Sequence, residues 1–332
     1  MNTIEDMELR KDPITRSWVL TGEAPSDQQP AECPYCPSSQ SPVQVVSSMP
    51  PVAGGPWSAR AVVHPAPMYR IEGDPNRHGN GLYDTMQTVG AHEVLLENPQ
   101  HNRNLWDATD AEIEQFLRMA AQRIVDLKRD RRFKYVTMFK NNGKLGGQEI
   151  AHPHWELTAT SYVPRRVLYE LRAGREHHQR KERCVFCDIL GQEERQKERI
   201  VELRGDYIAC CPYAPRVPYE TWVLPRTHEA SFERGILARE GRARDLAALL
   251  RRTLIRIRSI TESFHIVLHT TPNTLSKAVL GYWSTIDDDY HWHIEIMPVV
   301  EGRSRSYRFK ETYYSDVTSE DAAKRLRAGP VT

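Results

Sequence analysis

The sequence predicts an α+β fold of two similar halves, each contributing mainly antiparallel sheet with helices packed on it. Three observations carry this. A set of five elements recurs twice in the same order, two stretches carry apolar residues at helical spacing, and each stretch precedes a short strand-like run. The chain has 332 residues, enough for two such units.

The first half, residues 1–172, reads Cys33-x-x-Cys36, a strand His92-Glu93-Val94-Leu95-Leu96, a lone His101, a helix with its strand, and His152-x-His154-x-Glu156. The second half, residues 173–332, reads Cys184-x-x-Cys187, a strand Thr221-Trp222-Val223-Leu224, His228, a helix with its strand, and His291-x-His293-x-Glu295. Residues 40–57 are rich in Ser, Pro and Gly and read as a surface loop. Thr109 followed by Glu112 is a capping-box pattern. Ile113, Phe116, Leu117, Ala120, Ile124 and Leu127 then form one apolar stripe. Its counterpart carries Leu246, Leu249, Leu250, Leu254 and Ile257. The strands that follow are Tyr135-Val136-Thr137-Met138-Phe139 and Phe264-His265-Ile266-Val267-Leu268. The charged run at 175–183 reads as a solvated connector between the halves. Cys210 and Cys211, after the strand-like Tyr207-Ile208-Ala209, read as buried small apolar residues. Residues 319–326 read as a short capped helix.

Composition excludes several classes. Lys plus Arg number 45 against 44 Asp plus Glu, so nothing favours general nucleic-acid binding or attachment to anionic membranes. No apolar run approaches the roughly 20 residues of a membrane-spanning helix. The N-terminus is acidic and polar rather than signal-like. The expectation is a cytoplasmic enzyme with no nucleic-acid or membrane partner. In such a chain, two Cys-x-x-Cys pairs mean metal more often than disulfide.

The chemistry concentrates at His152-Pro153-His154-Trp155-Glu156. Residues two apart on a strand share a face. One histidine can therefore bind a metal while the other offers a ring nitrogen to a substrate. Upstream, the segment from Phe139 to Gly147, including Asn141, Gly143, Lys144 and Gly146, can turn backbone N–H groups toward a phosphate. A histidine beside such a cradle points to covalent nucleotidyl transfer.

These residues, together with Arg10-Lys11-Asp12-Pro13-Ile14-Thr15-x-x-Trp18-Val19, Gly90-Ala91-His92-Glu93-Val94, Pro99-x-His101, Pro212-Tyr213-Ala214-Pro215-Arg216 and Tyr290-His291-Trp292-His293-Ile294-Glu295, give the chain its resemblance. It resembles the galactose-1-phosphate uridylyltransferases of the histidine triad superfamily over nearly its whole length. The resemblance implies two histidine-triad-like α+β halves, a homodimer, and a ping-pong reaction on a nucleotide sugar and a sugar 1-phosphate. It implies His154 as nucleophile, with Asn141, Gly143, Gly147, Gln148 and Glu149 around the phosphate. It also implies His64 near the nucleotide base, and Tyr307 and Tyr313 near the sugar. Cys33, Cys36, His101 and His152 then form a set for structural, tetrahedral zinc. The repeat extends this to Cys184, Cys187, His228 and His291. A competing set that the family implies is Glu170, His269, His291 and His293. Two departures matter. Glu156 stands where the family has Gln, and Glu149 where it has a phosphate-binding Ser. An ionised carboxylate only accepts hydrogen bonds, so Glu156 is expected to be protonated, paired with Lys140 or Lys144, or acting as a base. Uridine and galactose are therefore not assumed; altered nucleotide or sugar specificity, a phosphorylase, a hydrolase, or a non-catalytic zinc-stabilised binding protein are the alternatives.

Overall fold

The computed structural model describes residues 7–23, 32–52, 54–276, 284–302 and 312–331. Among these, the strands and helices follow in the order β1 (Glu8–Lys11), β2 (Trp18–Thr21), β3 (Val45–Ser48), β4 (Arg60–Val63), β5 (His78–Asn80), β6 (Tyr83–Gln87), β7 (Gly90–Leu96), α1 (Asp110–Lys128), β8 (Tyr135–Asn142) and β9 (His154–Thr160). They continue with α2 (Arg165–Lys181), α3 (Val185–Gln196), β10 (Ile200–Arg204), β11 (Tyr207–Cys210), β12 (Thr221–Pro225), α4 (Phe232–Ala238), α5 (Arg242–Arg258), β13 (Phe264–His269), α6 (Ile286–Asp289), β14 (His293–Pro298) and α7 (Ser319–Ala328). The fold is α+β.

Ten strands form one antiparallel sheet in the order β10-β11-β12-β14-β13-β8-β9-β7-β4-β3. The order is symmetric about the contact between β13 and β8. Outward from it, β14-β12-β11-β10 on one side mirrors β9-β7-β4-β3 on the other. The motif repeat read from the sequence thus becomes a pseudo-symmetric sheet, with His154 and His293 each opening the second strand from the centre. A separate small sheet, β2-β1-β6-β5, carries the N-terminal segment.

Strand alternation sorts the central strands into two faces. In β8, Val136, Met138 and Lys140 are buried, while Thr137, Phe139 and Asn141 are half-buried. The buried face meets α1 and α5. Ile113, Phe116, Leu117 and Ile124 pack there with Leu246, Leu250 and Leu254 over Met138, Trp155, Leu157, Ile266 and Ile294. Helix α1 starts as its sequence dictates: the Thr109 side chain accepts from Glu112 N at 3.3 Å, and Thr109 N donates to Glu112 Oε2 at 2.8 Å.

Two sequence expectations are corrected. Residues 175–183 fall largely within α2 rather than in a connector. The charges lie outside, while Val167, Leu171 and Gly174 face inward. A Cβ at Gly174 would come within 2.7 Å of the Asp289 carbonyl, so glycine permits α2 to approach α6. Residues 40–57 contain the edge strand β3, with Val45 and Val46 exposed. Trp57, at the end of that run, is buried beneath the Arg60 guanidinium, 4.7 Å from its ring. Cys210 and Cys211 are buried, as expected for small apolar residues.

Candidate active site

His154 begins β9 on the face away from α1 and α5. Pairing of β9 with β7 sets Leu96 opposite His154, Val94 opposite Glu156 and His92 opposite Thr158. His92, Val94, His154 and Glu156 therefore share this face. Phe139 stands opposite Glu156 from β8, and Asn141 opposite His265 across the centre of the sheet. Phe139, Asn141, Glu156, Thr158, His265 and Val267 are all half-buried and form its floor.

The hydrogen bonds of each histidine determine which nitrogen holds the proton. His154 Nδ1 lies 2.8 Å from the His152 carbonyl. A carbonyl only accepts, so Nδ1 carries the proton and Nε2 keeps its lone pair. Burial and the charge of Lys140 push the His154 pKa down to about 4, which keeps the ring neutral. His152 has the opposite tautomer. Its Nε2 donates to the Asn98 carbonyl at 2.9 Å, leaving the Nδ1 lone pair toward Cys33 and Cys36 at 3.6 and 3.9 Å.

Cys36 Sγ also lies 3.5 Å from His101 Nδ1. A tetrahedral ion with ordinary Zn–S and Zn–N bonds sets sulfur and nitrogen about 3.6 Å apart. Cys33, Cys36, His101 and His152 gather at that spacing with the necessary lone pair on His152. The second half repeats it. Cys187 Sγ lies 3.4 and 3.7 Å from Nδ1 of His228 and His291. Their Nε2 atoms donate to the carbonyls of Asp287 and Pro225 at 2.8 and 3.0 Å. Cys184 completes the cluster. The residues of both clusters fit a structural ion that leaves no open position.

The competing set is rearranged. His291 sits with the cysteines, and Glu295 takes its place beside Glu170, His269 and His293. His269 Nδ1 is 2.9 Å from Glu170 and Nε2 is 3.4 Å from Glu295. Burial alone would lower the His269 pKa, but the two carboxylates raise it to about 10. Glu295 is further paired with Arg216 at 2.7 Å and Arg166 at 3.4 Å. The four side chains form a buried network of charged groups whose ligand atoms lie within 4.8 Å of one another.

The glycine run is not an open cradle. Gly146, Gly147 and Gln148 donate their N–H groups to carbonyls of the loop itself, and Gly143 N donates to Gln148 Oε1 at 2.9 Å. Gln148 Nε2 is taken by the Ile150 carbonyl at 3.0 Å. Gly143, Gly147 and Gln148 thus build a tight turn around Lys144–Gly146. Glycine is required at 143, where φ is +73° and a Cβ would meet Ser263 Oγ at 2.6 Å. Glu149 is exposed. Asn141 Oδ1 accepts from His265 Nδ1 at 2.8 Å. Tyr313 is exposed, and Tyr307 lies outside the described residues.

Glu156 finds neither expected lysine. Lys140 lies on the opposite face, paired with Glu97 at 2.8 Å, and Lys144 is exposed in the turn. Its partner is His92, whose Nε2 is 2.9 Å from Glu156 Oε2. His64 stacks on His92 with ring centres 4.0 Å apart. Burial pushes the Glu156 carboxyl up, but His92, His154 and His64 outweigh it and leave the pKa below its ordinary value. Sequence reasoning placed His92 on its strand without giving it a role. The signal was available, since β7 and β9 alternate in step and bring His92 to the face of His154.

The chain is similar over most of its length to proteins of named activity. An ADP-glucose phosphorylase of Arabidopsis thaliana is 25% identical over 98% of this chain and 93% of its own length. A galactose-1-phosphate uridylyltransferase of Thermotoga maritima is 28% identical over 67% of each chain. Among solved structures, a uridylyltransferase mutant superposes with a TM-score of 0.80 at 25% identity, covering 97% of both chains. The chain is a homologue of the galactose-1-phosphate uridylyltransferases and has their fold. The Arabidopsis thaliana phosphorylase with bound ADP-glucose shares this uridylyltransferase-like fold, with a TM-score of 0.75 at 23% identity over 98% of this chain and 99% of its own. Residues 77–163 also match a family described as the N-terminal domain of a domain of unknown function, DUF4931. No helix among the described residues is long and apolar enough to cross a membrane.

Proposed function

We propose that the chain is a nucleotidyltransferase that takes a nucleoside monophosphate from a nucleotide sugar onto His154. The observation that carries this is the tautomer of His154, with Nδ1–H held by the His152 carbonyl and Nε2 unprotonated on a buried ring beside the half-buried floor. In the first step Nε2 attacks the α-phosphorus, the bond to the sugar-phosphate oxygen breaks, and the sugar 1-phosphate leaves. The His152 carbonyl stabilises the positive charge that develops on the ring. In the second step an acceptor oxygen takes the nucleotidyl group and Nε2 regains its lone pair.

Zinc in both Cys2His2 clusters supplies structural anchoring. The first ties the segment bearing His101 to His152 and so fixes the start of β9; the second does the same for His291 and β14. The substrate floor is Phe139, Asn141, Thr158 and Val267, with His64 beside it. Two reduced Cys-x-x-Cys pairs suit a cytoplasmic setting, and the half-exposed face suits a homodimer. The relatives' names favour a nucleotide sugar and a sugar 1-phosphate as reactants, and the ADP-glucose phosphorylase of Arabidopsis thaliana favours adenine over uracil as the first base to test.

The test is intact-protein mass spectrometry by rapid quench after mixing with ADP-, UDP-, GDP-, CDP- and TDP-sugars. The expected result is a gain of one nucleoside monophosphate that is absent in His154→Ala. No gain with any of them in zinc-loaded protein would refute covalent transfer.

A further inference from the structure

We propose that Glu156 is the general base of the second step, and that the acceptor is a hydroxyl-bearing molecule or water rather than a phosphate dianion. The inference rests on His154 being the nucleophile. It starts from the polarity of the cluster His64, His92 and Glu156, whose potential ligand atoms lie within 4.8 Å of one another.

Backbone N–H groups can only donate. Met68 N donates to His92 Nδ1 at 3.3 Å, and Ala66 N donates to His64 Nδ1 at 3.1 Å. Both rings therefore carry their proton on Nε2. His152, His228 and His291 share this tautomer, their Nε2 atoms donating to carbonyls, but their Nδ1 lone pairs face sulfur, whereas those of His64 and His92 accept backbone N–H groups. A metal ligand needs a free lone pair, and in His64 and His92 backbone N–H groups already occupy it. The cluster is a hydrogen-bonding array of fixed direction, in which His92 Nε2–H donates to Glu156 Oε2 at 2.9 Å.

Glu156 is thereby held as a carboxylate with one oxygen occupied. Among the described residues no hydrogen bond ends on Oε1, and the side chain is 18% exposed. It lies two residues from His154 on the same face, about 7 Å away along the strand. Among the described residues no Lys or Arg pairs with it, and Lys140 is committed to Glu97 on the other face. A phosphate dianion entering here meets a fixed negative charge that no Lys or Arg among the described residues offsets. A neutral hydroxyl meets a hydrogen-bond acceptor that orients it and can take its proton.

The step balances. The acceptor O–H gives its proton to Glu156 Oε1 as its oxygen bonds to phosphorus. The P–Nε2 bond breaks and its electron pair returns to His154. Glu156 then releases the proton to solvent.

The experiment uses a nucleotide sugar that labels His154 and measures products with ¹⁸O-water, glycerol, inorganic phosphate and glucose 1-phosphate as acceptors. The expected wild-type result is at least tenfold more transfer to glycerol than to either phosphate at equal concentration, with ¹⁸O in the released nucleotide. Glu156→Gln should still form the adduct but lose about 100-fold in transfer to glycerol and water, and its use of phosphate should rise. Glu156→Asp should recover part of the hydroxyl transfer, which a purely structural role does not explain. Equal or better transfer to the phosphates by wild type, or an unchanged acceptor ratio in Glu156→Gln, would overturn the inference while leaving His154 as nucleophile. No adduct in either protein would overturn both.

Discussion

Lys140 and Glu97 lie directly behind the nucleophile, 2.8 Å apart and essentially without solvent exposure. Lys140 Nζ also donates to the His154 carbonyl at 3.1 Å, and Glu97 accepts from Trp155 Nε1 at 2.9 Å. The pair fixes the backbone of His154 from the core side. Lys140→Met leaves a buried carboxylate unpaired, which costs about 3–5 kcal/mol. Urea unfolding should show that loss, and the double variant with Glu97→Gln should recover part of it. Glu112 provides the pH-dependent counterpart. The bidentate Arg103 contact at 2.6 and 2.7 Å holds its pKa at about 2, against an ordinary 4.5. A depressed carboxyl pKa stabilises the fold at pH above about 4.5, and that stabilisation fades as pH falls toward 2. Wild type should therefore lose its melting-temperature advantage over Glu112→Gln between pH 5 and 2.5, and a constant difference across that range would contradict the assignment.

At the scale of elements, the turn between β8 and β9 depends on Gly143. Gly143→Ala combines a left-handed φ with contacts at 2.6 Å to Ser263 Oγ and 2.9 Å to the Glu262 carbonyl. Destabilisation of about 1–3 kcal/mol is expected, together with slower labelling of His154, because the turn sets where β9 begins. Helix α1, the paired strands and the HxHxE motifs were legible because their spacing and caps are local. The Thr109 capping box is a four-residue pattern that the structure reproduces. The partner of Glu156 was not legible, since His92 is 64 residues away and the choice between Lys140 and His92 depends on which face of the sheet each occupies. The hydrogen bonding of the glycine run was not legible for a related reason. Composition showed that the backbone could turn, but not that the loop's own carbonyls and the Gln148 side chain would accept its N–H groups. Helix α2 was masked by its charges, its buried side being reduced to Val167, Leu171 and Gly174.

Across the whole molecule, the two Cys2His2 clusters sit at matching places in a sheet that is symmetric about β13 and β8. They nevertheless serve different strands. Zinc analysis should find two ions per chain, and Cys33→Ser and Cys184→Ser should each retain one. Cys33→Ser should abolish labelling of His154, whereas Cys184→Ser should lower stability with a smaller effect on labelling; identical effects on labelling would argue against the first cluster as the support of the nucleophile. The symmetry was visible in the motif order, but the joining of both halves into one sheet through Asn141 and His265 was not. The central claim is two displacements at phosphorus through His154, and its most direct measurement is stereochemical. A nucleotide sugar with a chiral α-phosphorothioate of known configuration, turned over in ¹⁸O-water, should give a product with net retention, since each displacement inverts once. Net inversion would mean a single direct attack and would contradict the covalent histidine.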